Sequence, residues 1–434
     1  MSQNIVSVAL MEKRVGNVVG AMNILVGEVG VNPKNSWARL ELSRIYIESG
    51  DLFLAKKVAS EGLEFCVDVY NLYAALSEIE LIECNVDGAI KLARLGYISN
   101  PNICNAAFPF FRVLAKNGCF DVLASEVDGF IKNAPRAEVD RTLFHLLPLL
   151  SIKGLHPDNS FRVVWHKPSE KSDSLSNAMI FILMKNEIDI IRHNVVHHYS
   201  LGFRFFCVLD NNSIDGSMES ISSLEKMLVD AVFIKISDPC VVHLQGAKTT
   251  LAVRYAVDYL RFLNVVIEWV FPVDADEFIN TPISLSAVLL SVPSEAKILV
   301  FNSRNVATEK VFDIISESDS LSDDFSLPKN SSVFLNPSVK VAFRFSCAAE
   351  VADGNHFVNK TVCSLDDVYF LGGLDICINH LPIRSVEQIK AKTINGAQAI
   401  ADLQVGAHWK ERYQKFLRRG DVVFREIVEN FISG

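Results

Sequence analysis

No run of apolar residues in this chain reaches the roughly 18 needed to cross a bilayer, although half of its 434 residues are hydrophobic and its mean hydropathy is +0.23. That apolar content is expected to fill large cores or surfaces covered by partners. The opening Met-Ser-Gln-Asn has neither the basic segment nor the apolar segment of a secretory leader. No Cys-x-x-Cys pair occurs among the nine scattered cysteines, an odd number. This argues against a zinc site or a disulfide framework and for reduced thiols in a cytoplasmic compartment. An excess of basic residues is also missing. The net charge of −9 is the opposite of a nucleic-acid binder's footprint, so no nucleic-acid partner is expected.

What is present first is a repeat. Over residues 1–150 a period of 34 aligns Gly16, Gly50, Cys84 and Gly118. It also aligns Ala21, Ala55, Ala89 and Leu123, and then Pro33, Val67, Pro101 and Pro135. Gly breaks the chain between two helices, Ala lets them pack closely, and Pro ends the second. The pattern resembles the tetratricopeptide repeat, a helical hairpin of the same length. An all-α solenoid is expected, its concave surface offered to a protein partner or its helices merely bracing the second domain.

Residues 151–172 read as a joint, and residues 173–434 as that second domain. Apolar runs at 178–184, 203–209, 231–236, 265–271 and 297–301 read as buried strands, with helical patterns at 187–200, 218–228 and 248–262 between the early ones. Strands alternating with helices predict a largely parallel sheet covered on both faces. Residues 316–332 form a polar loop, and residues 385–432 are helical again.

Polar residues gather where these strands end. The first ends in Lys185-Asn186-Glu187, the second in Asp210-Asn-Asn212-Ser-Ile-Asp215-Gly216, and the fourth in Asp274-Ala-Asp276-Glu277-Phe278. Unpaired carboxylates are costly inside a buried strand, but strand carboxyl ends are where open α/β sheets bind ligands. Two aspartates two residues apart on a strand point the same way and can share a hard cation, Mg²⁺ or Mn²⁺, carried with a diphosphate.

Together with His198-Tyr-Ser-Leu-Gly202 and the late His380, these segments resemble family 2 inverting nucleotide-sugar glycosyltransferases, over about residues 175–395. The resemblance implies a Rossmann-like, GT-A-type α/β domain after the tetratricopeptide-like solenoid. It implies a nucleotide-sugar donor, linked to UDP in the family's usual manner, and a glycan, lipid-linked or protein hydroxyl acceptor. By the same resemblance Lys185, Asn186, Glu187, Asp210, Asn212, Asp274 and Lys390 would contact the donor. Asp274, Asp276 and His380 would hold the metal, Lys390 or Lys392 would neutralise the leaving diphosphate, and Gln245 and Arg254 would lie on the donor side.

An acceptor hydroxyl attacking the anomeric carbon also needs a carboxylate base. Glu309, Asp313, Asp323, Asp324 and Asp353 are candidates. Glu309 is preferred because it soon follows the fifth strand. Other features have plainer readings. His193 and His197 lie four apart on a helix but lack a third zinc ligand, and His198 reads as structural. His356 faces either the site or the core. The helix around Trp409 and Tyr413, with Lys410, Arg412, Lys415, Arg418 and Arg419, is expected to pack one face and solvate the other, with peripheral contact to an acidic membrane as the alternative. The rival functions are a binding protein built on a degenerate transferase domain, and a nucleotidyltransferase. The latter would need a Gly-rich phosphate loop after the first strand, which Lys185-Asn-Glu187 is not.

Overall fold

The computed structural model describes residues 2–151, 175–240, 242, 244–307, 332–346, 349–371, 376–399 and 407–433. It separates into two compact units, Met1–Leu150 with Cys363–Leu365, and Ser151–Val362 with Asp366–Gly434.

The first unit is an all-helical, tetratricopeptide-like solenoid. Its helices are α1 (Ser2–Arg14), α2 (Val18–Val31), α3 (Ser36–Glu48), α4 (Leu52–Phe65), α5 (Tyr70–Ile82), α6 (Val86–Ser99), α7 (Cys104–Lys116), α8 (Phe120–Asn133) and α9 (Arg136–Ser151). The turn column is left-handed in every unit, with φ of +87° at Gly16, +83° at Gly50, +60° at Cys84 and +72° at Gly118. Ala21, Ala55, Ala89 and Leu123 are all buried. The repeat also sets the polar contacts. Ser43 Oγ donates to the Ala55 carbonyl, and 34 residues later Ser77 Oγ donates to the Ala89 carbonyl. Asn17, Asn35, Asp51 and Asn85 each cap a helix by accepting from a backbone N–H of its first turn.

The second unit runs β1 (Leu175–Met184), α10 (Ile191–Ser200), β2 (Phe203–Asp210), α11 (Ser217–Met227), β3 (Val232–Ser237), α12 (Gln245–Phe262), β4 (Trp269–Asp274), β5 (Glu277–Asn280), α13 (Leu285–Ser291) and β6 (Ile298–Ala307). It continues with β7 (Ser332–Arg344), β8 (Glu350–Val351), β9 (Val358–Asn359), β10 (Val368–Phe370), β11 (Cys377–His380), α14 (Val386–Ala399), α15 (Ala407–Arg419) and α16 (Val422–Ser433). The main sheet has the order β3-β2-β1-β4-β7-β6-β11-β5, with β10 also paired to β6. Ala178 to Ile182 are buried without a break, the mark of a strand covered on both faces.

Several expectations change. The sheet is mixed rather than largely parallel. The first four strands run parallel, but β7 is antiparallel to both β4 and β6, and β5 is antiparallel to β11. The fourth strand begins at Trp269, not Val265. The left-handed Asn264 and a hydrogen bond from Val265 N to Leu260 O finish α12, so Val265 belongs to the helix end. Asp276 lies in the turn between β4 and β5, so it is not on the same strand as Asp274. The helix expected from residue 187 starts at Ile191. Most of the polar 316–332 segment, and the 151–172 joint beyond Ser151, fall outside the described residues. No helix among the described residues is long and apolar enough to cross a membrane.

Candidate functional site

After β1 the chain moves outward to β2 and β3, and α12 then returns it to β4 on the other side of β1. The crevice outside the carboxyl ends of β1 and β4 is therefore a topological switch point, where open α/β sheets bind ligands. Lys185, Asn186 and Glu187 follow β1, Asp210 ends the neighbouring β2, and Asp274 ends β4.

Two loops form one rim of this crevice by fastening to each other. Asn186, in the left-handed region at φ +56°, donates its N–H to Ser213 Oγ and accepts from Ile214 N through its side chain. Glu187 N donates to Ser217 Oγ, and Ile188 N donates to Asp215. Asn212 is a second left-handed turn residue, at φ +62°, and Asp210 accepts from Ser213 N. Asn186 and Asn212, expected to touch the donor, are thus placed where they shape the loops; their side-chain type is explained by the backbone they allow. Burial and the nearby Lys248 ammonium lower the Lys185 pKa, against the pull of Asp210.

Asp274 and Asp276 face different partners. Asp274 accepts from Gln245 Nε2 at 3.0 Å, Asn355 Nδ2 at 3.3 Å and Lys340 Nζ at 3.0 Å. Lys340 is buried and also pairs with the fully buried Glu277 at 2.7 Å. Burial opposes the Lys340 charge, but the two carboxylates outweigh it and raise its pKa. Burial raises that of Glu277. Asp276 instead meets Lys392 Nζ at 2.7 Å, Arg384 Nη1 at 3.4 Å and His380 Nε2 at 3.5 Å. Burial pushes its pKa up, yet Lys392, His380 and Arg384 together hold it well below the carboxylate range.

Arg384 ties the site together. Its side chain is 1% exposed and bonds Glu187 at 2.5 Å and Asp189 at 2.6 Å in addition to Asp276. A single guanidinium thereby joins the end of β1, the β4–β5 turn and the segment after β11, a use suited to its planar fork. Burial raises the Glu187 pKa to about 7 despite Arg384 and Lys392.

Lys390 requires a correction. Its ammonium pairs with Asp421 at 2.7 Å and lies over the Phe416 ring, whereas Lys392, two residues on, reaches Asp276. The periodicity of α14 decides this: residues two apart lie on opposite faces of a helix. Arg254 donates to the Ala349 carbonyl, while Gln245 does reach Asp274. Asp353 accepts from Gly246 N and so caps α12, an engaged position for a base. Glu309, Asp313, Asp323 and Asp324 lie outside the described residues. His356 Nδ1 bonds the Val339 carbonyl, His197 Nε2 that of Ile279, and His198 Nδ1 that of Asn194. Arg419, on the basic α15, pairs with Glu426 of α16.

The donor set for a metal is narrower than expected. No cluster of three His, Cys, Asp or Glu suited to a metal occurs among the described residues. Asp274 carries three donors on its carboxylate, and Asp276 likewise meets Lys392, Arg384 and His380. The facing pair that a cation could bridge is Asp276 Oδ1 and His380 Nε2, 3.5 Å apart, with His380 Nδ1 bonded to Asn305 Oδ1 at 3.1 Å; the cation would replace the direct contact between them. Two protein ligands suffice for a cation that keeps phosphate and water ligands.

Lys340, Arg384, Asp189 and Asn355 were not anticipated. Lys340 left a signal, a lysine amid the apolar Val339-Lys-Val341-Ala-Phe343. Arg384 left none, since its partners come from two segments remote from it in the chain, Glu187 with Asp189 after β1 and Asp276 after β4.

No family profile and no curated protein matches the chain. Among solved structures, MamA is 14% identical over 33% of this chain and 81% of its own, with a TM-score of 0.26. A thermophilic TPR protein of Thermus thermophilus is 14% identical over 36% of this chain and 88% of its own, also at 0.26. A Thermobaculum terrenum O-GlcNAc transferase variant is 12% identical over 58% of this chain and 44% of its own, at 0.29. At these values the similarities decide neither fold nor chemistry.

Proposed function

We propose that the second unit is a glycosyltransferase domain of the inverting, nucleotide-sugar-dependent kind. The observation that carries this reading is the convergence of Glu187, Asp210, Asp274 and Asp276 with Lys185, Lys340, Arg384 and Lys392 at the β1–β4 switch point. On this reading Asp210 and Asp274 accept from the base or ribose of the donor. Lys392 and Arg384 sit beside the carboxylate nearest the diphosphate and stabilise the charge that develops on it as the sugar departs. Mn²⁺ or Mg²⁺, held by Asp276 and His380, supplies further neutralisation when bound. The acceptor is a glycan, lipid-linked or protein hydroxyl.

One observation favours the second reading, a binding protein with a degenerate transferase domain. Asp274 and Asp276 already have several ion-pair or hydrogen-bond partners each, so the site is charge-satisfied without a ligand. A panel of nucleotide sugars with Mn²⁺, scored for thermal stabilisation and donor turnover, tests both. Turnover with one donor supports the enzyme; stabilisation without turnover supports the binding protein; neither response rules out both. For the donor that binds, Asp276→Asn should abolish the Mn²⁺-dependent part of the affinity, and Lys390→Ala should leave it intact.

A further inference from the structure

Transfer of a sugar to a hydroxyl requires a carboxylate that takes the hydroxyl proton. Such a base needs access to the crevice and an oxygen that no other group holds. Most carboxylates gathered at the ends of β1 and β4 fail one of these conditions. Asp274 accepts from Gln245, Asn355 and Lys340, and Asp276 is held by Lys392, Arg384 and His380. Glu277 is fully buried against Lys340, and Asp353 caps α12. Asp189 gives both oxygens to Arg384, at 2.6 Å from Nε and 3.0 Å from Nη2. Asp210 already accepts from Ser213 N and is only 7% exposed.

Glu187 meets both conditions. It follows β1 at the rim of the crevice, with a side chain 15% exposed. Arg384 Nη2 bonds its Oε2 at 2.5 Å, and its Oε1 accepts no hydrogen bond from the described residues. The same guanidinium meets Asp276 through Nη1 at 3.4 Å, so Glu187 is fixed beside the carboxylate proposed to hold the metal. A carboxylate oriented through one oxygen and open at the other is the arrangement of an activated base. The charged groups facing it are Arg384, Asp189, Lys392 and Asp276. Burial raises its pKa to about 7 against the pull of Arg384 and Lys392, with Asp276 and Asp189 adding to the rise. A base is most effective when its pKa lies near the working pH.

We propose that Glu187 is the general base of the transfer, a role that rests on the transferase reading and puts the base ahead of the metal residues in the chain. Its Oε1 takes the proton of the acceptor hydroxyl as the hydroxyl oxygen bonds to the anomeric carbon. The bond from that carbon to the β-phosphate oxygen breaks, and its electron pair leaves with the nucleoside diphosphate. Glu187 then returns the proton to water. Without an acceptor, water is the attacking group, so donor hydrolysis reads the same step. The test uses the full chain with Mn²⁺ and a panel of UDP- and GDP-linked sugars. Hydrolysis by the parent chain should fall as pH drops below about 7. Glu187→Gln should lower hydrolysis by ~10²-fold or more, leave donor affinity nearly intact and lose that pH step. Azide, a nucleophile with no proton to give up, should restore turnover of Glu187→Gln as a glycosyl azide. A parent chain that hydrolyses no donor overturns the transferase reading and this role with it. Hydrolysis retained by Glu187→Gln, donor affinity lost in proportion, or no response to azide overturns the role of Glu187 alone.

Discussion

The solenoid and the sheet unit solve the problem of charge in opposite ways. In the solenoid the buried Arg39 donates its guanidinium to the Pro33 and Val58 carbonyls, and the ion pairs lie mostly near the surface: Lys13 with Glu48, Lys56 with Glu80, Arg136 with Asp140. Such pairs contribute little to stability. Its order comes from apolar columns and left-handed turns that recur every 34 residues. The sheet unit instead buries Lys340, Arg384, Asp276 and Glu277, and their partners lie far apart in the chain. Buried ion pairs cost desolvation energy and are poor devices for stability alone. They gather at the carboxyl ends of β1 and β4, the place on which the proposed donor site rests.

The sharpest way to break this contrast is to remove Arg384. Arg384→Met removes the guanidinium shared by Glu187, Asp189 and Asp276, leaving Asp276 to Lys392 and His380 alone, and should destabilise the sheet unit by about 3 kcal/mol. Hydrogen exchange read by mass spectrometry should show the loss in β1, the β4–β5 turn and β11, with the solenoid unchanged. Equal loosening of both units would show that they do not respond independently.

Acid should separate the units next. Burial lowers the His197 pKa to about 4 and holds His198 well below its ordinary value. The unfolded chain binds protons at these residues from about pH 6.5 downward while the folded chain does not. The share of stability due to these histidines is thus full above that pH and falls as pH drops towards 4, by up to about 3 kcal/mol for His197. Glu187, its pKa raised to about 7, works in the opposite direction between pH 7 and 5, and is neutralised as Glu187→Gln for this test. The solenoid's single histidine, His145, is exposed. Denaturant melts at pH 7 and pH 5 should differ mainly in the sheet unit; a larger change in the solenoid would contradict this assignment.

Smaller effects should appear within the solenoid. Ala55→Leu forces a larger side chain into the closely packed column and should cost about 1–3 kcal/mol. Gly50→Ala tests the turn alone, because an added Cβ meets nothing within 4 Å and only the positive φ resists it. It should cost about 1 kcal/mol, measurable in the urea midpoint. The result sharpens the comparison with Gly246 in the sheet unit. There a Cβ would lie 2.4 Å from the Val351 carbonyl oxygen, so crowding rather than backbone strain demands glycine.

The solenoid can be read from the chain alone, because the contacts that build it lie within one or two repeats and recur as columns: Gly50 for the turn, Ala55 for the packing, Asp51 for the cap. The first strands and the polar residues at their ends can be read the same way, since a buried parallel strand needs an apolar run and polar residues mark where it leaves the core. Which of those polar residues meet depends on how the folded chain brings its loops together. Asp274 and Asp276 are two positions apart, yet a turn directs one to Lys340 and the other to Lys392. Asn186 and Asn212 stand in the motifs, yet their left-handed backbone assigns them to loop shape. Arg384 has no local pattern at all, and its place is fixed by strands and loops that meet only when the sheet closes around β1. Ion pairing depends on distance in space, and distance along a chain does not encode it once the chain crosses over itself.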